Sequence, residues 1–166
     1  SANNIAYLLS EAASDSGAKA ALAIPASDSA DVQVVSYTQL ASAAAQVQRH
    51  VAALGVERGD RVALSMPNVA LMPALYYGIV AAGAICVPLN PLLSGAELEY
   101  HLRDSGAKVL FAFAGTRLAS EAPSTVPVKN GSVRCEICTG GEGSPVAPFE
   151  APADSALSDA VPSVAV

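Results

Sequence analysis

The chain has 166 residues, nine of them Lys or Arg against 15 Asp or Glu, for a formal net charge of −6, and 52% of it is hydrophobic. An acidic chain repels phosphate backbones, so nucleic-acid binding, which needs clustered cations to release counterions, is disfavoured. The length predicts one domain burying roughly 70% of its unfolded surface, and three cysteines fit a reducing compartment. The opening residues lack the basic and continuous apolar regions of a signal peptide, so they read as mature, cytoplasmic sequence.

In chain order, Asn4 can cap a first helix with Ile5, Leu8, Leu9 and Ala12 on one face, ending near Gly17. Lys19 to Ile24 reads as a strand closed by Pro25, Ser27 to Asp31 as a loop, and Val32 to Tyr37 as a second strand; the two can form a hairpin. Thr38 is placed to cap a second helix, in which Leu40, Ala44, Val47, Val51 and Leu54 recur at four, three, four and three residues. That spacing draws one apolar stripe. Gln46, Arg49 and His50 fall outside it and are expected to be wet, while Gly55 followed by Val56 has the order of a Schellman stop.

From Val62 to Ala96 there is no charged side chain, which marks the centre of a core, a membrane span or a buried interface. A spanning helix needs about 20 uninterrupted apolar residues, whereas Pro67, Pro73, Gly78, Gly83 and Pro88 break this run. The pieces predict a strand from Val62 to Met66, an N-cap at Asn68, a buried helix from Val69 to Ala82, an αL stop at Gly83 and a strand from Ala84 to Val87. Ser94 with Glu97 makes a capping box for a helix that turns Leu98 and Leu102 inward and pairs Glu99 with Arg103 on its surface.

Gly106 ends that helix, and Lys108 to Phe113 is a third buried strand. Strands alternating with helices predict an α/β fold with a mainly parallel sheet and right-handed crossovers. Beyond Gly115 a short helix from Thr116 to Glu121 and a strand from Val133 to Cys138 are expected. Thr139 to Val166 is aperiodic Gly, Pro, Ser, Ala and acid, so residues 1–138 read as the folded unit and 139–166 as a loop or tail.

Few residues suggest chemistry. Cys135 and Cys138 form one C-x-x-C, a redox pair or half a zinc site by spacing, but no second pair or nearby His accompanies it, and on a strand the two thiols face opposite sides. Cys86 lies in an apolar strand and reads as a small core residue. Gly140, Gly141 and Gly143 resemble a phosphate cradle without the Lys or Ser/Thr that should follow it. His50 and His101 sit on polar helix faces, with no Ser or Cys on a nucleophile elbow. No catalytic, cofactor-binding or metal residue is assigned.

A resemblance emerges from several short pieces in order. Tyr37-Thr38-Gln39-Leu40 is similar to the Y-x-E-L motif of the adenylate-forming superfamily, and Gly59-Asp60-Arg61-Val62-Ala63 with Pro67-Asn68 resembles its G-D-R-V-A and P-N elements. Gly83 with Val87-Pro88-Leu89-Asn90-Pro91, Glu97-Leu98-Glu99-Tyr100 and Asp104-Ser105-Gly106-Ala107-Lys108-Val109-Leu110 resemble its second core motif. The match covers Asn4 to about Phe113. Asn90 stands where peptide-synthetase domains usually carry Asp, so the similarity is closer to AMP-forming fatty-acyl-CoA ligases. Gln39 in place of Glu, and Pro73 inside the buried helix, depart from the pattern.

The resemblance implies the incomplete N-terminal part of the adenylate-forming fold. In the full enzyme it implies activation of a fatty or other carboxylic acid with ATP and Mg²⁺ to an acyl-adenylate, then transfer to coenzyme A. The phosphate-gripping T-S-G-T-T-G-x-P-K-G loop, the later nucleotide motifs and the C-terminal lysine do not occur in the chain. Asp159 to Val166 resembles the lead-in to that loop, so the expectation is a fragment without activity of its own. The alternative is a stand-alone binding or assembly module that reuses the scaffold. Either way, a sheet missing its later cover is expected to associate, as a homodimer or higher oligomer.

Overall fold

The strand β3, Arg61–Ser65, is buried from Val62 onward on both of its faces, as a central parallel strand is. In the computed structural model, which describes residues 4–25, 32–116, 119, 125–128 and 131–139, a five-stranded sheet is built outward from it. In chain order the elements are α1 (Ala6–Ser16), β1 (Ala20–Pro25), β2 (Val32–Ser36), α2 (Tyr37–Ala53), β3, α3 (Leu71–Ala81), β4 (Ile85–Leu89), α4 (Gly95–Ser105), β5 (Val109–Phe113), β6 (Thr125–Val128) and β7 (Gly131–Cys138). The sheet order is β4-β3-β5-β7-β6. β4, β3, β5 and β7 run parallel, with Arg61 opposite Ile85 and Val62 opposite Val109, and β6 is antiparallel to β7. β1 and β2 form the expected hairpin apart from this sheet.

The crossovers set the layers. α3 carries the chain from β3 to one flank, and α4 brings it back past β3 to β5 on the other, so right-handed connections place the two helices on opposite faces. On the α3 face Val62, Leu64 and Phe111 meet Leu75, Ile79, Val47 and Val51. On the α4 face Ala63, Leu110 and Ala112 meet Leu98 and Leu102. A third cluster of Leu9, Val35, Leu40, Ala44 and Ala74 binds the hairpin and α1 to α2 and α3. No residue of α3 is exposed, as an all-round apolar helix requires, and among the described residues no helix is long and apolar enough to cross a membrane.

Local chemistry explains the element ends and corrects several expectations. The cap of α2 is Ser36, not Thr38: Ser36 Oγ accepts from Gln39 N–H and Gln39 Oε1 accepts from Ser36 N–H at 2.8 Å, a full capping box. An amide oxygen accepts as a carboxylate does, so Gln39 serves in place of Glu. Asn68 caps nothing; α3 begins two residues later than its apolar run, at Leu71, without a side-chain cap. Pro73 therefore falls in the first turn, where its missing N–H is one of the orphans anyway. On α1 only Leu9 of the expected stripe is buried, while Ile5 and Leu8 are exposed. Asn4 Oδ1 accepts from Ala6 N–H and its Nδ2 donates to Val80 O, tying the start of α1 to the end of α3.

Two of the four predicted glycine stops, Gly55 and Gly83, close Schellman motifs, whereas Gly17 ends α1 in the right-handed region with φ −54°. After α2, Gly55 N–H donates to Ala52 O and Val56 N–H to Val51 O; after α3, Gly83 N–H donates to Val80 O and Ala84 N–H to Ile79 O. Gly83 has φ +83°, and a Cβ there would stand 3.2 Å from Arg58 Cγ. Gly83→Val is expected to lose well over 1 kcal/mol, from left-handed strain and crowding together. A circular-dichroism melt should show it; an unchanged midpoint would mean that the backbone relaxes out of the αL region.

Among the described residues β4 is an edge of the sheet. Ile85 N–H bonds Asp60 O across to β3, so alternation turns the backbone of Cys86 and Pro88 outward. Proline has no N–H to offer there, which blunts the edge for further pairing. Ile85, at the start of β4, nevertheless leaves 52% of its surface exposed, and Leu92, beyond the other end of the strand, leaves 87%.

Candidate functional site

In open α/β sheets ligands gather at the C-terminal strand ends where the crossovers reverse. Here that point lies between β3 and β5, because the connection after β3 leaves to one side and the sheet continues from β5 to the other. Ser65 ends β3, Phe113 ends β5, and Gly115 follows with φ +85° and open space around the position of a Cβ. Thr116 Oγ1 donates to Phe113 O at 2.7 Å and accepts from Ala119 N–H at 3.2 Å. Ser65 is fully buried, and its Oγ has no hydrogen-bond partner among the described residues. On the neighbouring strand, Asn90 just beyond β4 uses its Oδ1 to hold Leu92 N–H at 2.9 Å.

The charged motif residues collect at the opposite end of the sheet. Arg61, at the start of β3, donates from Nε to Ser105 O at 2.9 Å, from Nη2 to Gly106 O at 3.1 Å and from Nη1 to Gly59 O at 3.4 Å. It thus closes the C-terminus of α4, where a cation also meets the negative end of the helix dipole. Asp60 Oδ2 accepts from Lys108 Nζ at 2.6 Å and from Glu57 N–H at 2.7 Å. The Lys108 hydrogen bond first, then that of Glu57, holds the Asp60 carboxyl below the usual carboxylate range. Residues 59–61 and 105–108 are separate in sequence and partners in space. They lock β3, β5 and α4 together.

The remaining sequence candidates do not converge. Cys135 and Cys138 pack into opposite cores, as alternation along β7 dictates. Burial pushes the Cys86 thiol up to about 11. Burial first, with Glu136 adding, takes Cys135 to about 11 and Cys138 to about 12. All three are thiols at neutral pH and make poor nucleophiles. His101 is half-buried with its ring edge-on to Tyr100 at 5.4 Å. Among the described residues no three His, Cys, Asp or Glu side chains gather as a metal site. Gly140, Gly141 and Gly143, and most of the Thr116 to Glu121 segment, lie outside the described residues.

His50 corrects the expectation of a wet side chain. Its ring packs on Phe111 at 6.1 Å between centroids, and its Nε2 lies 3.4 Å from Glu136 Oε2, without the alignment of a hydrogen bond. Glu136 is meanwhile held by Arg134 Nε at 2.6 Å. Helical spacing alone hides this contact, because the last turn of α2 overhangs a strand 86 residues further along the chain.

The class the structure defines is an α/β/α scaffold with a crossover reversal at its strand ends and with Asp60, Arg61 and Lys108 joining the opposite end of the sheet. The sequence comparisons agree. A family model described as AMP-binding enzyme matches residues 9–162, and the chain belongs to that family. The long-chain-fatty-acid–CoA ligase FadD13 of Mycobacterium tuberculosis is 35% identical over 130 residues, 74% of this chain and 25% of that protein. The long-chain-fatty-acid–CoA ligase of Escherichia coli O157:H7 is 51% identical over 57 residues, 34% of this chain and 10% of that one. Among solved structures, the N-terminal domain of FACL13 from Mycobacterium tuberculosis superposes with a TM-score of 0.71 at 30% identity, over 92% of this chain and 38% of that one. The chain therefore corresponds to the N-terminal part of an adenylate-forming enzyme and spans about a quarter of the curated FadD13 relative.

Proposed function

We propose that this chain is the N-terminal part of an ATP-dependent fatty-acyl-CoA ligase, residues 1–138 forming its α/β subdomain and 139–166 leading towards the phosphate loop. In the full enzyme a carboxylic acid, ATP and Mg²⁺ form an acyl-adenylate, whose acyl group then passes to the thiol of coenzyme A. The observation that carries this reading is the 35% identity to a long-chain-fatty-acid–CoA ligase over 74% of the chain. The chain's own contribution is positional. Arg61, Asp60 and Lys108 fix the N-terminal ends of β3 and β5, and the opposite strand ends are thereby held for groups supplied by the rest of the enzyme.

On this reading the isolated chain makes neither acyl-adenylate nor acyl-CoA. Loss of a single preorganised donor costs about 2.7 to 4 kcal/mol of barrier, and the phosphate loop and lysine that would donate are both lacking. Pyrophosphate exchange with ATP and palmitate is expected to stay at background. Exchange that disappears on substituting a residue of this chain would overturn the inactivity. Grafting the chain in place of the matching segment of FadD13 is expected to retain acyl-CoA synthesis. A graft that folds yet is inactive on every fatty acid would overturn the ligase reading.

The same reading leaves the face of β4 without a neighbour in the isolated chain. We propose that homodimers or higher oligomers form through the apolar surface left uncovered at β4 around Ile85, since Pro88 denies its backbone edge. Light scattering at micromolar concentration should give a mass above the 16.7 kDa of one chain. A monodisperse monomer would rule this out.

A further inference from the structure

We propose that the cleft at the C-terminal end of α3 binds an amphipathic anion, an aliphatic tail with a carboxylate or phosphate head, away from the crevice at the strand ends. The cleft encloses about 570 Å³ and is lined by Ile5, Val80, Ala82, Ala84 and Arg58 among others, a size within the range of ligand pockets. It shares Asn4 and Ala81 with a second cleft of about 280 Å³ between α1, α2 and α3, where Leu9, Ala44 and Tyr77 extend the wall. The two adjoin at Asn4 and Ala81, and their walls are mixed: Ile5, Leu9, Ala44 and Val80 stand among the polar groups of Asn4, Ser10, Gln48 and Tyr77.

Charge gives the adjoining clefts a direction. Among the described residues Arg58 is the only charged one lining the larger cleft, and it is exposed, with no hydrogen bond or ion pair to them. A helix C-terminus ordinarily repels anions through its last carbonyls. Here those carbonyls are already occupied. Asn4 Nδ2 donates to Val80 O at 2.8 Å, Gln48 Nε2 to Ala81 O at 3.0 Å and Gly59 N–H to Gly83 O at 2.9 Å. With the helix end covered, the guanidinium sets the sign at the mouth, and it can hold a carboxylate or a phosphate with two parallel N–H donors. A compact hydrophilic anion would meet that one cation only, whereas a tail can also cover Ile5 and Val80 and continue past Ala81.

Calorimetric titration of the 166-residue chain with dodecanoate, dodecyl phosphate and dodecanol, each below its micelle concentration, tests the site without reference to ligase activity. Saturable one-to-one binding of at least one of the two anions is expected, and the stronger of them identifies the head group. Arg58→Gln, a surface change, should weaken the anions at least tenfold and leave dodecanol within twofold. Ala81→Trp, which fills the junction of the two clefts, should abolish binding of all three while the circular-dichroism melt stays cooperative. Equal anion affinity in Arg58→Gln and the parent chain would overturn the proposal, as would the absence of saturable binding by either anion. Should Ala81→Trp fail to fold, Arg58→Gln still decides it.

Discussion

Gly78→Ala is expected to destabilise the chain by about 2 to 3 kcal/mol, although alanine in place of glycine ordinarily favours a helix by about 1 kcal/mol. The reason is the crossing of α2 and α3. A Cβ on Gly78 would overlap Val47 Cβ, lie 2.5 Å from Val47 Cγ1 and 2.7 Å from Ala44 O. None of these is the far end of a flexible side chain, so the two helices must separate. Val47, Leu75 and Ile79 belong to the largest core cluster and lose contacts together. At about 2 to 4 °C per kcal/mol for a domain of this size, the melting midpoint should fall by roughly 4 to 12 °C. Val47→Gly with Gly78→Ala should cost less than the sum of the two single changes, because the double variant restores the room. An unchanged midpoint in Gly78→Ala alone would mean that the helices do not cross here.

Gly78 also shows what a sequence can and cannot disclose. It was visible as an interruption of an apolar run, and the run was read correctly as buried, because length and Pro/Gly punctuation decide between a core and a membrane span. Its role as the contact point of two helices depends on Val47 of another element, and no local pattern encodes that meeting. The same division runs through the fold. Stops at Gly55, Gly83 and Gly106 were legible because left-handed backbone and a following apolar residue are local requirements. The capping box of α4 was legible for the same reason, whereas that of α2 was displaced from Thr38 to Ser36 because the strand before it ends one residue earlier than its β-branched pattern suggests. The start of α3 was misplaced because apolar Val69 and Ala70 carry no sign that they precede a helix.

The site divides in the same way. The motif residues from Gly59 to Ala63 and from Asp104 to Leu110 carried the family resemblance, and the structure gives them a physical meaning that the resemblance did not contain: each set holds the other. His50 against Glu136, and the Ser65 hydroxyl without a partner among the described residues, were beyond reach, since both depend on strands brought together over long separations.

Arg61 is therefore the place where a single change should loosen a joint between elements 44 residues apart in the chain. Its half-buried guanidinium serves Ser105 O and Gly106 O, and hydrogen bonds to charged groups contribute about 1.5 to 3 kcal/mol. Arg61→Ala is expected to cost about 2 kcal/mol and to lower the melting midpoint by roughly 4 to 8 °C. Arg61→Lys should recover little of this, because an ammonium cannot fork onto two carbonyls. Gly106 reinforces the point: at φ +63°, a Cβ would stand 2.8 Å from Arg61 Nη2, so the fork and the left-handed turn need each other. The neighbouring Asp60 supplies a pH test of the same joint. Its carboxyl is held below its ordinary value in the folded chain, so its stabilisation is complete above the unfolded pKa and is lost as pH falls through the folded one. Melting midpoints from pH 6 to pH 2.5 should fall more steeply for the parent chain than for Asp60→Asn, which has nothing left to protonate. Parallel curves would show that the Asp60–Lys108 contact contributes nothing in solution, and a midpoint unchanged in Arg61→Ala would remove the guanidinium from the joint.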